Sequence, residues 1–154
     1  MYIVYHDVDG THSTIVAAAI HLNQLPLDAV PNKNDLLTLP LFDQLQQKDI
    51  ARLIYHGKDE YGHCIYTIGR KHSAHLVVNA IETVFSMLHL PQSEILCVNT
   101  SPCVNNLMRI GGGSSRKFGL VSFGRPIVTY GTLKAYPKIS EIVRKTKIKI
   151  APSI

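Results

Sequence analysis

Apolar and polar positions fall along the chain in blocks that read as strands and helices in turn. The first block is the short apolar run Tyr2-Ile3-Val4-Tyr5, which breaks into the polar stretch from His6 to Thr14 and resumes as the longer apolar segment Ile15 to Leu22. That order predicts strand, loop and helix. Leu25-Pro26 and Val30-Pro31-Asn32 predict a turn, because a proline disfavours helical backbone in the residue before it. Pro40 opens a short predicted helix bearing Leu41, Phe42 and Leu45. Ala51 to Ile68 predicts a hairpin that turns through Gly57 to Gly62, with His56 facing His63 and Ile54 facing Ile65.

Further along, Ser73 is the expected N-cap of a helix whose apolar face is Val77, Val78, Ile81, Val84, Phe85 and Leu88. Glu94 to Val98 predicts a strand that runs into Asn99-Thr100-Ser101-Pro102-Cys103 and a helix from Val104 to Ile110. Gly111-Gly112-Gly113-Ser114-Ser115-Arg116-Lys117 is expected to interrupt that helix, since consecutive glycines cost helix stability. Ile127 to Tyr130 reads as the last clear strand, turning through Gly131-Thr132 into a helix with Ile139, Ile142 and Val143 on one face. Lys147 to Ile150 alternates like an edge strand. Strands alternating with helices predict one α/β domain over residues 1–154, a doubly wound three-layer sandwich whose sheet is mainly parallel with one antiparallel hairpin. Ligands in such sheets bind where strand-to-helix turns gather at the carboxyl edge. The turns expected there are His6–Ser13, Gly69–Ser73, Asn99–Cys103 and Gly131–Thr132.

Composition narrows the class without naming a reaction. Hydrophobic residues make up 45% and charged residues 18%, an ordinary globular balance with no disordered tract. Three cysteines without zinc-ligand spacing, no basic leader before the first strand and no apolar run near the roughly 18 residues of a membrane span predict a cytoplasmic protein. Net charge is +5, but residues 1–100 hold six Lys/Arg against ten Asp/Glu, and residues 101–154 hold ten against Glu141 alone. Such asymmetry suits an anionic small molecule; nucleic acid is a less favoured partner, because few aromatics are interleaved with the basic residues.

The first loop admits two chemistries. Asp7-Val8-Asp9-Gly10-Thr11 after an apolar strand is similar to the opening motif of haloacid-dehalogenase-type phosphotransferases, with Asp7 as nucleophile. Such enzymes need a downstream acidic pair for magnesium, and the final third offers only Glu141. Alternatively, Gly10-Thr11-His12-Ser13-Thr14 forms an anion cradle, analogous to a P-loop with His12 in the lysine's place. Backbone N–H groups with the Ser13 and Thr14 hydroxyls would hold oxygens, while His12 would move a proton or accept a phosphoryl group. Arg70 begins a predicted helix, where a cation is unfavourable unless an anion lies nearby. Cys103, at a helix start, is a candidate for a lowered thiol pKa.

Tyr5-His6, Gly10 to Ser13 and Ala17 to Leu22 resemble the start of an uncharacterised family of endospore-forming Firmicutes, domain of unknown function 3189. So do Gly57 to Gly62, Tyr66 to Arg70, Asn106 to Gly112, Gly119 to Pro126 and Tyr130 to Thr132. The family's loop usually carries cysteine at the position of Asp7 and glycine at that of Asp9. The resemblance therefore favours the Gly-Thr-His-Ser cradle over the aspartyl nucleophile. The expectation is a phosphorylated small molecule or nucleotide bound at the first loop and possible hydrolysis or transfer of its phosphoryl group. His12, His6 and Asp7 are the candidate catalytic residues, and Gly10, Thr11, Ser13, Thr14, Arg70, Thr100, Arg125 and Thr132 the candidate ligand contacts. No metal site is expected, and cofactor and oligomeric state stay open. The alternatives are a non-catalytic regulatory or interaction protein associated with sporulation, and a haloacid-dehalogenase-like phosphatase.

Overall fold

The computed structural model describes residues 1–151, and at 116 and 117 the backbone alone. Among these residues four strands form one sheet in the order β2-β3-β1-β4. They are β1 (Tyr2–Asp7), β2 (Ile54–Lys58), β3 (Cys64–Gly69) and β4 (Ile95–Asn99). Central β1 runs parallel to β3, from Tyr2 opposite Cys64 to Asp7 opposite Gly69, and parallel to β4, from Tyr2 opposite Ile95 to His6 opposite Asn99. Only β2 is antiparallel. The α/β class and the mainly parallel sheet with one hairpin are as expected.

Among the described residues five α-helices accompany the sheet: α1 (Ser13–His21), α2 (Lys33–Leu37), α3 (Ala74–Met87), α4 (Asn106–Gly112) and α5 (Val121–Ile150). Ile3 and Tyr5 point to one face of β1 and join Ile65, Val16, Ile20, Val128, Tyr136, Ile139 and Val143 in a core between the sheet, α1 and α5. Each such side chain contributes about 1.5–3 kcal/mol on burial. Tyr2, on the opposite face, meets Phe85 of α3 edge-on at 5.3 Å. No residue of α3 is fully buried, and Val84 of its expected apolar face and Leu88, which caps its C-terminus, are exposed. Ser73 precedes α3 without a side-chain capping bond.

Several sequence expectations are corrected. The strand at Ile127–Tyr130, the turn at Gly131–Thr132 and the edge strand at Lys147–Ile150 all lie within α5. There Thr129 and Thr132 donate their hydroxyls to the carbonyls of Arg125 and Val128, four residues back, so β-branched residues sit in the helix with their polar atoms paired. The helix after Pro40 does not form: Leu41 and Asp43 have φ of 69° and 54°, left-handed backbone that ends any helix. The helix of this region lies earlier, at α2, where Asn32 accepts the N–H groups of Asn34 and Asp35 and Asp35 accepts that of Asn32. In the hairpin a bulge between Tyr55 and Gly57 moves the register, pairing Ile54 with Thr67 and Gly57 with Ile65. His56 bonds to Thr67 Oγ1 at 2.8 Å and His63 to Asp59, so the two imidazoles do not face each other. Gly111–Lys117 does not interrupt helical backbone, which continues from α4 into a π-turn over Gly113–Lys117.

Candidate functional site

Strand β1 ends at Asp7, between β3 and β4, where the chain leaves in one direction to β3 and later crosses to the other side of β1. That is the topological switch point of the sheet. The loop from Val8 to His12 turns at Gly10, whose φ of +73° suits glycine. A Cβ there would lie 2.5 Å from Gly69 N, so the first loop and the end of β3 touch through two glycines.

Asp7 organises the loop from inside. Its Oδ1 accepts the N–H groups of Asp9 (3.1 Å) and Gly10 (2.5 Å), and its Oδ2 accepts the Ser13 hydroxyl at 2.5 Å. Burial pushes the Asp7 pKa up, and the bonds from Ser13 and Gly10 offset only part of that. Ser13 Oγ also lies 2.8 Å from Thr100 Oγ1, which is 3.3 Å from the His6 carbonyl. Asp9 diverges to pair with Lys71 at 2.6 Å on the surface. The two aspartates of the haloacid-dehalogenase-like motif thus have different partners, Asp7 within the loop and Asp9 on Lys71. Among the described residues no group of three or more His, Cys, Asp or Glu is placed to hold a metal.

His12 has a different partner. Its Nε2 lies 3.0 Å from Asp43 Oδ1, while Asp43 Oδ2 accepts the Ser115 hydroxyl (2.7 Å) and Arg125 Nε–H (3.1 Å). Burial alone would raise the Asp43 pKa, but bonds from His12, Ser115 and Arg125 outweigh it and hold the carboxyl below its usual range. An ionised Asp43 only accepts, so Nε2 carries a proton and a neutral His12 has its lone pair on Nδ1. The ring packs against Phe42 and against Gly112 of α4, where a Cβ would lie 2.9 Å from His12 Cε1.

The ring opens on a cleft of about 360 Å³ whose walls include Asp7, Val8, Asp9, His12, His72, Ser101, Val104, Met108 and Arg109. A second cleft of about 590 Å³ lies across the loop and shares Asp9 and Gly113 with the first. The sequence pattern alone does not mark His72 or Arg109 as site residues. His72 belongs to the expected Gly69–Ser73 turn and Arg109 to the Asn106–Gly112 motif, so both stretches were visible without their role.

Thr11 turns to the 41–45 segment, donating to the Leu41 carbonyl and accepting Leu45 N–H. Thr14 is buried, its Oγ1 without a hydrogen-bond partner among the described residues. His6 accepts Arg70 Nε–H on Nδ1 at 3.2 Å; burial and then the Arg70 charge lower its pKa to about 4. Arg70 also donates to the Lys71 carbonyl, Asn99 Oδ1 and Ser101 Oγ, so it braces Ser101 behind the cleft wall. Arg125 reaches the site through Asp43. Thr132 does not reach the sheet edge, since it is buried within α5. Cys103 is buried, and burial pushes its thiol up to about 11, the opposite of a thiol activated at a helix start. The side chains of Arg116 and Lys117 lie outside the described residues. No helix among the described residues is long and apolar enough to cross a membrane.

The chain matches the sequence model of the family described as Protein of unknown function (DUF3189) over residues 2–148, and it belongs to that family. No curated protein and no solved structure matches it.

Proposed function

We propose that this member of a family of unknown function binds a phosphorylated small molecule or nucleotide beside the β1–α1 loop, with His12 as the group that moves a proton or accepts the phosphoryl group. One observation carries the reading. His12, at the switch point of the sheet, is fixed through Nε2 by a buried carboxylate and borders a cleft that also holds Arg109 and His72. A carboxylate behind an imidazole fixes its orientation and tautomer, which suits both general acid/base work and nucleophilic attack by Nδ1. Asp43 is then a positioning residue, itself held by Ser115 and Arg125.

Thermal unfolding against inorganic phosphate, nucleotides and sugar phosphates tests this, with wild type beside His12→Ala. A ligand at a hundred times its Kd stabilises the fold by about 2.7 kcal/mol. Stabilisation of wild type that is reduced in the variant supports the site. No shift in either folded protein removes it.

A non-catalytic interaction protein is the second reading, favoured by one observation. Ile110, Phe118, Leu120 and Phe123 are exposed at 58%, 70%, 57% and 61% next to the cleft-lining segment of α4, in the basic third of the chain. Salt-sensitive capture of an acidic macromolecule that survives His12→Ala would favour it.

A further inference from the structure

Three donors that an anion cradle would turn outward are already engaged. The N–H groups of Asp9 and Gly10 and the Ser13 hydroxyl all donate to the carboxyl group of Asp7. Carboxyl oxygens carry lone pairs, so Asp7 gives a phosphate lodged against the loop acceptors where it needs donors. The side chains that can meet an anion border the first cleft. Arg109 and His72 border it, and neither is in an ion pair among the described residues. No acidic residue occurs in the sequence from Ile95 to Ser140, so Arg109 meets no carboxylate from its own segment. A guanidinium fork matches the oxygens of one phosphate group. The same cleft has an apolar side, formed by Val8, Val104 and Met108, and about 360 Å³ is the size of a small-ligand site.

We infer that the cleft selects a phosphate monoester with an apolar or aromatic body, of the aryl or nucleoside monophosphate type, and that Asp7 excludes polyphosphates by occupying three of the loop donors and turning its own lone pairs to the site. Arg109 and His72 hold the single phosphate beside His12, and Val8, Val104 and Met108 cover the body. This rests on the anion-site reading of the preceding section and narrows it.

Calorimetric titration of the full chain with inorganic phosphate, phenyl phosphate, adenosine monophosphate, adenosine diphosphate and pyrophosphate tests it. The expected order has phenyl phosphate and adenosine monophosphate tighter than inorganic phosphate, and pyrophosphate and adenosine diphosphate at least tenfold weaker than the monophosphate. Arg109→Gln, at an exposed position, should leave the fold intact and weaken phenyl phosphate binding about tenfold or more. Pyrophosphate or adenosine diphosphate binding as tightly as the monoesters overturns the inference while leaving the anion site standing. So does phenyl phosphate binding that is unchanged in Arg109→Gln. Failure of every ligand, inorganic phosphate included, removes both the inference and the reading beneath it.

Discussion

His6 and His12 stand six residues apart with opposite electrostatic surroundings. His6 accepts a hydrogen bond from a guanidinium and is held neutral, with a pKa of about 4, by burial and by Arg70. His12 faces a carboxylate. A lowered histidine pKa means that the unfolded chain binds the proton first, so the contribution of His6 to stability is complete above pH 6.5 and is lost as pH falls towards 4. His56, also lowered to about 4 by burial, acts in the same window. Urea unfolding between pH 7 and pH 4.5 should therefore show falling stability, each histidine contributing at most about 1.4 kcal/mol per pH unit. His6→Asn should remove one share of that slope; an unchanged slope would mean that the ring takes up its proton in the fold as it does in the unfolded chain. At this scale the sequence displayed His12 but not its partner. Asp43 lies 31 residues away in a segment that reads as helical, and its left-handed backbone is set by the bonds between Thr11 and the 41–45 segment.

The junction of α4 and α5 holds the site from behind, and its glycines divide into two kinds. A Cβ on Gly111 would lie 2.4 Å from Val128 N, and one on Gly124 would lie 2.4 Å from Ser115 N, so backbone meets backbone where the two helices cross. Gly113 has open space around it and right-handed helical backbone. Gly111→Ala should cost about 2–3 kcal/mol and loosen Ser115 and Arg125 from Asp43, whereas Gly113→Ala should gain about 0.5–1 kcal/mol. Equal effects in chemical denaturation would contradict the close crossing. The same junction explains what the sequence concealed. β1, α1, β3, α3 and β4 were legible because each keeps one period between clear breakers. The glycine run before α5 and the β-branched Ile127–Tyr130 inside it read as loop and strand. Local propensity points that way, but packing of α5 on α1 and α4 keeps the segment helical. Even Pro126 and Pro137 are accommodated within α5.

Across the whole molecule, α1 is held at both ends by a histidine and a carboxylate from outside the helix. At its start His12 meets Asp43; at its end His21 Nε2 meets Asp59 Oδ2 at 3.2 Å, while Tyr5 Oη lies 2.7 Å from His21 Nδ1. Asp59 also bonds His63 Nδ1 and accepts the N–H groups of Tyr61 and His63, which ties the hairpin turn to α1. Lys147 of α5 closes that end by pairing with Glu60 at 2.9 Å. The two pairs share chemistry and differ in access. His21 is wholly buried, and His12 lies on a cleft. The pair at the end of α1 therefore serves the fold, and the pair at its start is the one free to meet a ligand. Asp59→Ala leaves four donors or imidazole contacts without their acceptor and should lower unfolding free energy by about 3 kcal/mol. The folded fraction of that variant should bind phosphate ligands as wild type does. Asp43→Asn keeps the shape of the side chain but no longer offers His12 a carboxylate, so it should weaken or abolish that binding at a smaller cost in stability. Paired urea melts and titrations of the two variants decide the matter. Loss of binding in folded Asp59→Ala, with binding retained in Asp43→Asn, would move the site from the start of α1 to its end.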